Sequence, residues 1–200
     1  TQAGFFKESV NFDRGYEDPV HSIRRQSEGV YAMLHFLAYE RENGRRHPEW
    51  EQKMKNMLDI LLQLQHEDGS FPRKFHDDFT IVDNSGGSTP SVTLPLIMGY
   101  KYFKDKRYLA SAKRTADYLE KVLISKADYF SSTLDANCED KEASLYAATA
   151  TYYLSLITKG DEHRHYADLT RKAAYFALSW YYVWDLSLIH ISEPTRLALI

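Results

Sequence analysis

The chain has 200 residues, 44% of them hydrophobic, which suits one ordinary domain or part of a larger one. Twenty-five basic residues against 28 acidic ones leave a net charge of −3 with no basic stripe, which excludes nucleic-acid binding driven by phosphate contacts. The single cysteine, Cys138, excludes an internal disulfide or a cysteine-based zinc cluster, and FALSWYYVW, from Phe176, is too short an apolar run to span a bilayer.

Residues 1–24 read as a long lead-in loop. EGVYAMLHFLAYEREN, from Glu28, is apolar or small on most sides and reads as a buried helix. The short polar link GRRHP leads to WEQKMKNMLDILLQLQ, from Trp50, which is amphipathic at helical spacing, giving a first hairpin at about 25–65. A long polar stretch, HEDGSFPRKFHDDFTIVDNSGGSTP, precedes SVTLPLIMGYKYF, a second buried helix in which Ser91 as N-cap places Pro95 in the first turn. The link KDKR and YLASAKRTADYLEKVL complete a hairpin at about 90–124. There Tyr108, Leu109, Ala112, Ala116, Leu119 and Leu123 form an apolar stripe opposite Lys113, Arg114, Asp117 and Glu120. After SKADYFSSTLDANCEDKE the pattern returns, as ASLYAATATYYLSLIT, KGDEHRH and YADLTRKAAYFALSWY, for a hairpin at about 142–185.

The aromatics leading the amphipathic segments, Trp50, Tyr108 and Tyr166, recur every 58 residues. An all-α fold of three antiparallel inner/outer helix hairpins follows, with apolar helices inside and amphipathic ones outside. All the long connections then lie at one end of the bundle, where function usually sits on such a scaffold.

This layout resembles an α/α toroid such as the (α/α)6 barrel of the six-hairpin glycosidases. The turn QHEDGSFP, Gln65 to Pro72, resembles the Q-x-x-x-G-x-aromatic turn that recurs after outer helices in such toroids, including polysaccharide lyases and terpene cyclases. Gly69 there permits a positive φ, Asp68 can bond nearby backbone, and Phe71 can tuck under the next hairpin. The resemblance spans about Arg24 to Asp185 and covers three hairpins of six, so half a barrel is expected, a fragment inactive by itself.

The resemblance implies a carbohydrate-active enzyme, a glycoside hydrolase acting on an oligo- or polysaccharide by carboxyl general acid/base chemistry. Such chemistry needs carboxyl groups on either side of the scissile bond, one able to donate a proton. Acidic clusters occur in FHDDFTIVDN, in LDANCEDKE and at Glu17, Asp18 and Glu28, all on the long-loop end. Asp77, Asp78 and Asp140 are the catalytic candidates. Arg24 and Arg25, able to bind a uronate carboxylate, are substrate-binding candidates with His76, Asp83, Asn84, Tyr129 and Glu139. Plainer readings stand beside these: a helix start for Glu142, a solvated loop for Asp77 and Asp78, a surface ion pair for the arginines.

No metal or cofactor is expected, since His163 and His165 with Asp161 and Glu162 sit in a short connection at the opposite end. The expected partner is a carbohydrate, with no nucleic acid and no membrane, and a glycosidase would favour a secreted or periplasmic location. A polysaccharide lyase on the same scaffold is the nearest alternative, with Tyr129 or His76 as base. A non-catalytic helical-repeat binding scaffold is the third reading, which the long acidic loops disfavour.

LSLIHISEPTRLALI, residues 186–200, has no apolar face of helical period. LSLIHISEPTR resembles the translation of a transposase-type sequencing adapter, with LAL as its index. A non-native tail is therefore expected there, after a partial toroid domain at 1–185.

Overall fold

A computed structural model describes residue 1, residues 4–130 and residues 139–180; Cys138 and the segment 186–200 lie outside the described residues. Three antiparallel hairpins follow one another: α1 (Ile23–Glu42) with α2 (Pro48–Leu64), α3 (Thr89–Phe103) with α4 (Lys106–Tyr118), and α5 (Lys141–Ile157) with α6 (Gly160–Ser179). α4 runs on into a π-helical turn, Leu119–Ile124. The arrangement is an α/α toroid fragment with a few short strands added.

α1 packs on α3 and α3 on α5, so these three form the inner layer; α2, α4 and α6 lie outside. Burial follows the sequence pattern. Every residue of α3 from Thr89 to Gly99 is buried, whereas α2 buries one stripe, Met54, Met57, Leu58, Leu61 and Leu64. Leu34, Leu58, Leu61 and Leu96 are fully enclosed, each stabilising the fold by roughly 1.5–3 kcal/mol. α2 and α3 approach closely at Gly99, where a Cβ would come within 2.5 Å of Leu58 Cδ1.

Side-chain caps start the helices. Ser22 accepts a bond from the Arg25 amide at 3.4 Å, Asp105 from Arg107 at 2.9 Å and Asp140 from Glu142 at 2.8 Å. α3 begins at Thr89, after a 3-10 turn at Gly86–Ser88, with Ser88 at the cap position. Pro95 therefore sits inside the helix, not in its first turn as a Ser91 cap would have it. The helix thus starts with its cap at Ser88 instead of Ser91.

The lead-in, expected as a loop, carries short strands: β1 (Val10–Asn11) pairs antiparallel with β2 (Tyr16–Glu17), and β3 (Val20–Ser22) pairs with β4 (Lys74–His76), which pairs with β5 (Ile81–Asp83). The three-stranded sheet ties the start of α1 to the α2–α3 connection, because Ile23 N donates to Arg73 O at 3.0 Å. No helix among the described residues is long and apolar enough to cross a membrane.

The turn after α2 is built around Gln65. Its Nε2 donates to Gly69 O at 3.2 Å, Ser111 O at 3.1 Å and Thr115 Oγ1 at 3.0 Å, while its Oε1 accepts from Ser111 Oγ at 2.8 Å and from Arg114. Gly69 adopts a φ of +92°, and a Cβ there would stand 2.2 Å from Arg114 O. Asp68 accepts the Ser70 amide at 2.9 Å, and Phe71, fully buried, donates its own amide to Thr89 Oγ1 at 3.0 Å. The turn thus docks the first hairpin on the second.

Candidate functional site

The N-terminal ends of α1, α3 and α5 share the end of the bundle that carries the long connections. Across the concave side of the inner layer, α1 and α5 meet through side chains at i, i+4 spacing on their first turns. Arg24 bonds Glu28 on its own helix at 2.9 Å and Glu142 on α5 at 2.7 Å, with its guanidinium 5.5 Å from the centre of the Tyr146 ring. Tyr146 in turn donates its hydroxyl to Glu28. Deeper in, Tyr31 and Tyr153 hydroxyls lie 3.0 Å apart, and the Tyr31 ring meets His35 edge-on at 4.5 Å. The ladder ends at a cavity of about 90 Å³ lined by His35, Tyr153, Ile97, Met98 and Leu156, with Lys101 at its edge.

The electrostatics of the ladder follow from its pairing. Burial disfavours the Arg24 charge, but the Glu28 hydrogen bond, with the charges of Tyr146, Glu28 and Glu142, holds the guanidinium above its ordinary range. Burial, then the bond to Glu28, pushes the Tyr146 phenol up to about 12. Burial and the Tyr153 bond likewise raise Tyr31. The cation is flanked by two carboxylates and one phenol ring, groups that offer directed hydrogen bonds to a polar ligand.

At the start of α5, Phe130 and Glu139 form a bridge, and Asp140 N donates to Tyr129 O at 2.7 Å. Burial, reinforced by the nearby Asp128 charge, raises the Glu139 carboxyl above the usual range. Asp140 caps α5. Tyr129 is enclosed, its ring packing on Phe176 at 4.4 Å, and burial pushes its phenol up to about 12. That places it in the core between the α4–α5 connection and α6.

The remaining candidates sit on the sheet. Asp77, at the tip of the β4–β5 hairpin, bonds the Nε2 of the enclosed His21 at 2.5 Å. Asp78 accepts the Thr80 amide at 2.9 Å, which holds its carboxyl below the usual range and closes the turn. His76 Nδ1 lies 3.2 Å from Pro19 O. Asp83 accepts the Ser85 amide at 2.8 Å, and Asn84 beside it is exposed. Arg25 turns away from Arg24, donating to Glu8 O at 2.8 Å and pairing with the Glu8 carboxylate. His163 and His165 diverge, toward Ser155 O at 2.8 Å and Glu120 at 3.0 Å.

The structure therefore joins Arg24 to Glu28, which the sequence places only in a loose acidic cluster, to Glu142, whose plainer reading is a helix start, and to Tyr146. The signal was present in the matching i, i+4 pairs, Arg24/Glu28 and Glu142/Tyr146, on the opening turns of two inner helices.

No family model matches the chain. Among solved structures, the fold is similar to that of the unsaturated glucuronyl hydrolase of Bacillus sp. GL1, described as responsible for the degradation of glycosaminoglycan. The TM-score is 0.64 at 14% identity, over 87% of this chain and 50% of that one, so the chain spans half the length of that hydrolase. A likeness at this identity concerns the fold: an (α/α)6 toroid glycosidase fold.

Proposed function

We propose that the chain belongs to a carbohydrate-active enzyme, a glycoside hydrolase whose substrate enters at the N-terminal ends of α1 and α5 and carries acidic sugars. The observation that carries this reading is the Arg24 cluster, a guanidinium held between Glu28 and Glu142 above the Tyr146 ring. The glycosidase fold of the structural neighbour, and the part described for that hydrolase in glycosaminoglycan degradation, support the substrate class. Arg24 would bind a sugar carboxylate by charge-assisted bonds, and Tyr146 would stack on a ring face.

Glu139, which bridges to Phe130 at the start of α5 one residue before the Asp140 cap, and whose carboxyl is raised above the usual range, is the proposed proton donor to the leaving glycosidic oxygen. A second carboxylate would activate water or attack the sugar directly. Asp77 and Asp140 remain proposed for this role, and the Asn variant that loses cleavage identifies which serves. Asp78, committed to its turn, is proposed to have no part in the chemistry.

The test is a screen of saturated and unsaturated acidic oligosaccharides with the longest form of the protein that carries this sequence. Release of a reducing end without a new absorbing C=C bond is expected. A product with such a bond would replace hydrolysis by the lyase reading, and no cleavage by well-folded protein would remove both.

A further inference from the structure

Three hairpins of a six-hairpin ring leave two open edges, and both carry exposed apolar side chains. On α1, Ala32, Phe36 and Tyr39 follow at i, i+4 and i+7 on the side away from the buried Val30, Leu34 and Leu37, and all three are exposed. Trp50 of α2, also exposed, widens this edge, its ring centre 5.8 Å from that of Phe36. The lead-in covers only the first turns of α1: Phe6 N donates to Gln26 Oε1 at 2.8 Å, and the Phe6 ring stands against Gly29. On α5, Leu145, Tyr152 and Leu156 recur at i, i+7 and i+11, opposite the buried Ala143, Ala147 and Leu154. Tyr175 and Leu178 extend that edge onto α6.

The repeat makes these two edges counterparts. Hairpins follow every 58 residues, and the inner helices pack in sequence, α1 on α3 and α3 on α5. In that series the open side of α1 corresponds to the side that α3 turns toward α1. The open side of α5 corresponds to the side that α3 turns toward α5. An α1 edge set against an α5 edge therefore repeats the contact between consecutive hairpins, as stacked repeats do. Three hairpins of an (α/α)6 ring also subtend half a turn. A twofold rotation then brings the α1 edge of each copy to the α5 edge of the other, and the ring closes with no edge left over.

We propose that the 200-residue chain pairs with a second copy of itself, the α1–α2 edge of each against the α5–α6 edge of the other, to form a six-hairpin ring of two chains. Both apolar stripes of each copy are covered in one step, which removes the exposed patches that otherwise favour open-ended association. The concave side that carries Arg24, Glu28, Glu142 and Tyr146 in one copy then faces its twofold mate across the ring. The assignment stands on the fold alone and does not depend on the glycosidase reading.

Analytical ultracentrifugation of the 200-residue chain over a range of concentrations tests it. Wild type is expected to sediment at twice the monomer mass, with no larger species as concentration rises. Phe36→Glu on one edge and Leu156→Glu on the other are each expected to weaken the dimer roughly tenfold or more, since each substitution enters the ring twice. Both positions are exposed in the single chain, so folding should survive, and circular dichroism checks it. A dimer that Leu156→Glu breaks and Phe36→Glu leaves intact would be an α5-to-α5 pairing and overturns the ring. Oligomers that keep growing with concentration overturn it as well. A monomer at every concentration overturns the pairing and leaves the two edges to further hairpins of a longer polypeptide.

Discussion

Arg24 on α1 and Glu142 on α5 are joined by a 2.7 Å ion pair that crosses between two inner helices with no backbone link for more than a hundred residues. Both side chains keep contact with solvent, so screening limits what the pair adds to stability, on the order of 0.5 kcal/mol. Arg24→Met should therefore leave the denaturation midpoint nearly unchanged, while weakening binding of an acidic saccharide by about tenfold or more. Chemical denaturation and calorimetric titration of the same preparation check the two halves.

Gln65 should behave in the opposite way. It serves five partners across the α2 exit and α4, so Gln65→Ala leaves Ser111, Thr115 and Arg114 with lost bonds at once. A loss of about 2 kcal/mol in unfolding free energy is expected, with no change in saccharide affinity beyond the loss of folded protein.

Gly69→Ala should cost more. The residue would be forced to keep a φ of +92° with its new methyl group 2.2 Å from the Arg114 carbonyl. Strain and overpacking together should remove roughly 3 kcal/mol. A melt within experimental error of wild type would show that the turn does not dock on α4 as described.

Acid stability should depend on Glu40. Hydrogen bonds from Arg45 and His47 lower its carboxyl to about 2 in the folded protein. A depressed carboxyl stabilises above its unfolded value, near 4.3, and that contribution is lost as pH falls toward the folded value. The unfolding midpoint of wild type should thus drop between roughly pH 4.5 and 2, and Glu40→Gln should flatten this part of the profile.

Leu145, Tyr152 and Leu156 recur on one face of α5, and Tyr175 and Leu178 on α6; all are exposed. A run of apolar side chains on neighbouring helices favours association. The 200-residue chain should bind a hydrophobic dye and sediment as more than a monomer. A sharp, reversible melt of a monomeric species would contradict this.

The hairpins were legible in the sequence because burial and periodicity agree there: α3 has apolar or small residues all round, and α2 has a single stripe. The 58-residue repeat was also legible, yet its members differ in packing. Tyr108 and Tyr166 are buried, whereas Trp50 is 40% exposed and stacks on His47 at 4.6 Å. Short strands escaped notice because two or three residues, as in Val20–Ser22, give no measurable alternation. At the site, Asp78 closes a turn, while the Arg24 cluster needs α1 packed beside α5, a contact that the two i, i+4 pairs prepare but that neither pair specifies. Tyr129, a substrate-binding candidate from its place in a long connection, has its ring packed on Phe176 of α6, a contact that no local pattern shows.

The most direct test of the account is the pH dependence of cleavage of an acidic oligosaccharide by wild type, Glu139→Gln and Arg24→Met, in the longest form of the protein. The account predicts that wild-type rate falls as pH rises through the raised Glu139 value. It also predicts that Glu139→Gln loses about 100-fold or more in turnover, and that Arg24→Met is impaired mainly in substrate affinity. Undiminished cleavage by both variants across the pH range would place the chemistry elsewhere and contradict the account.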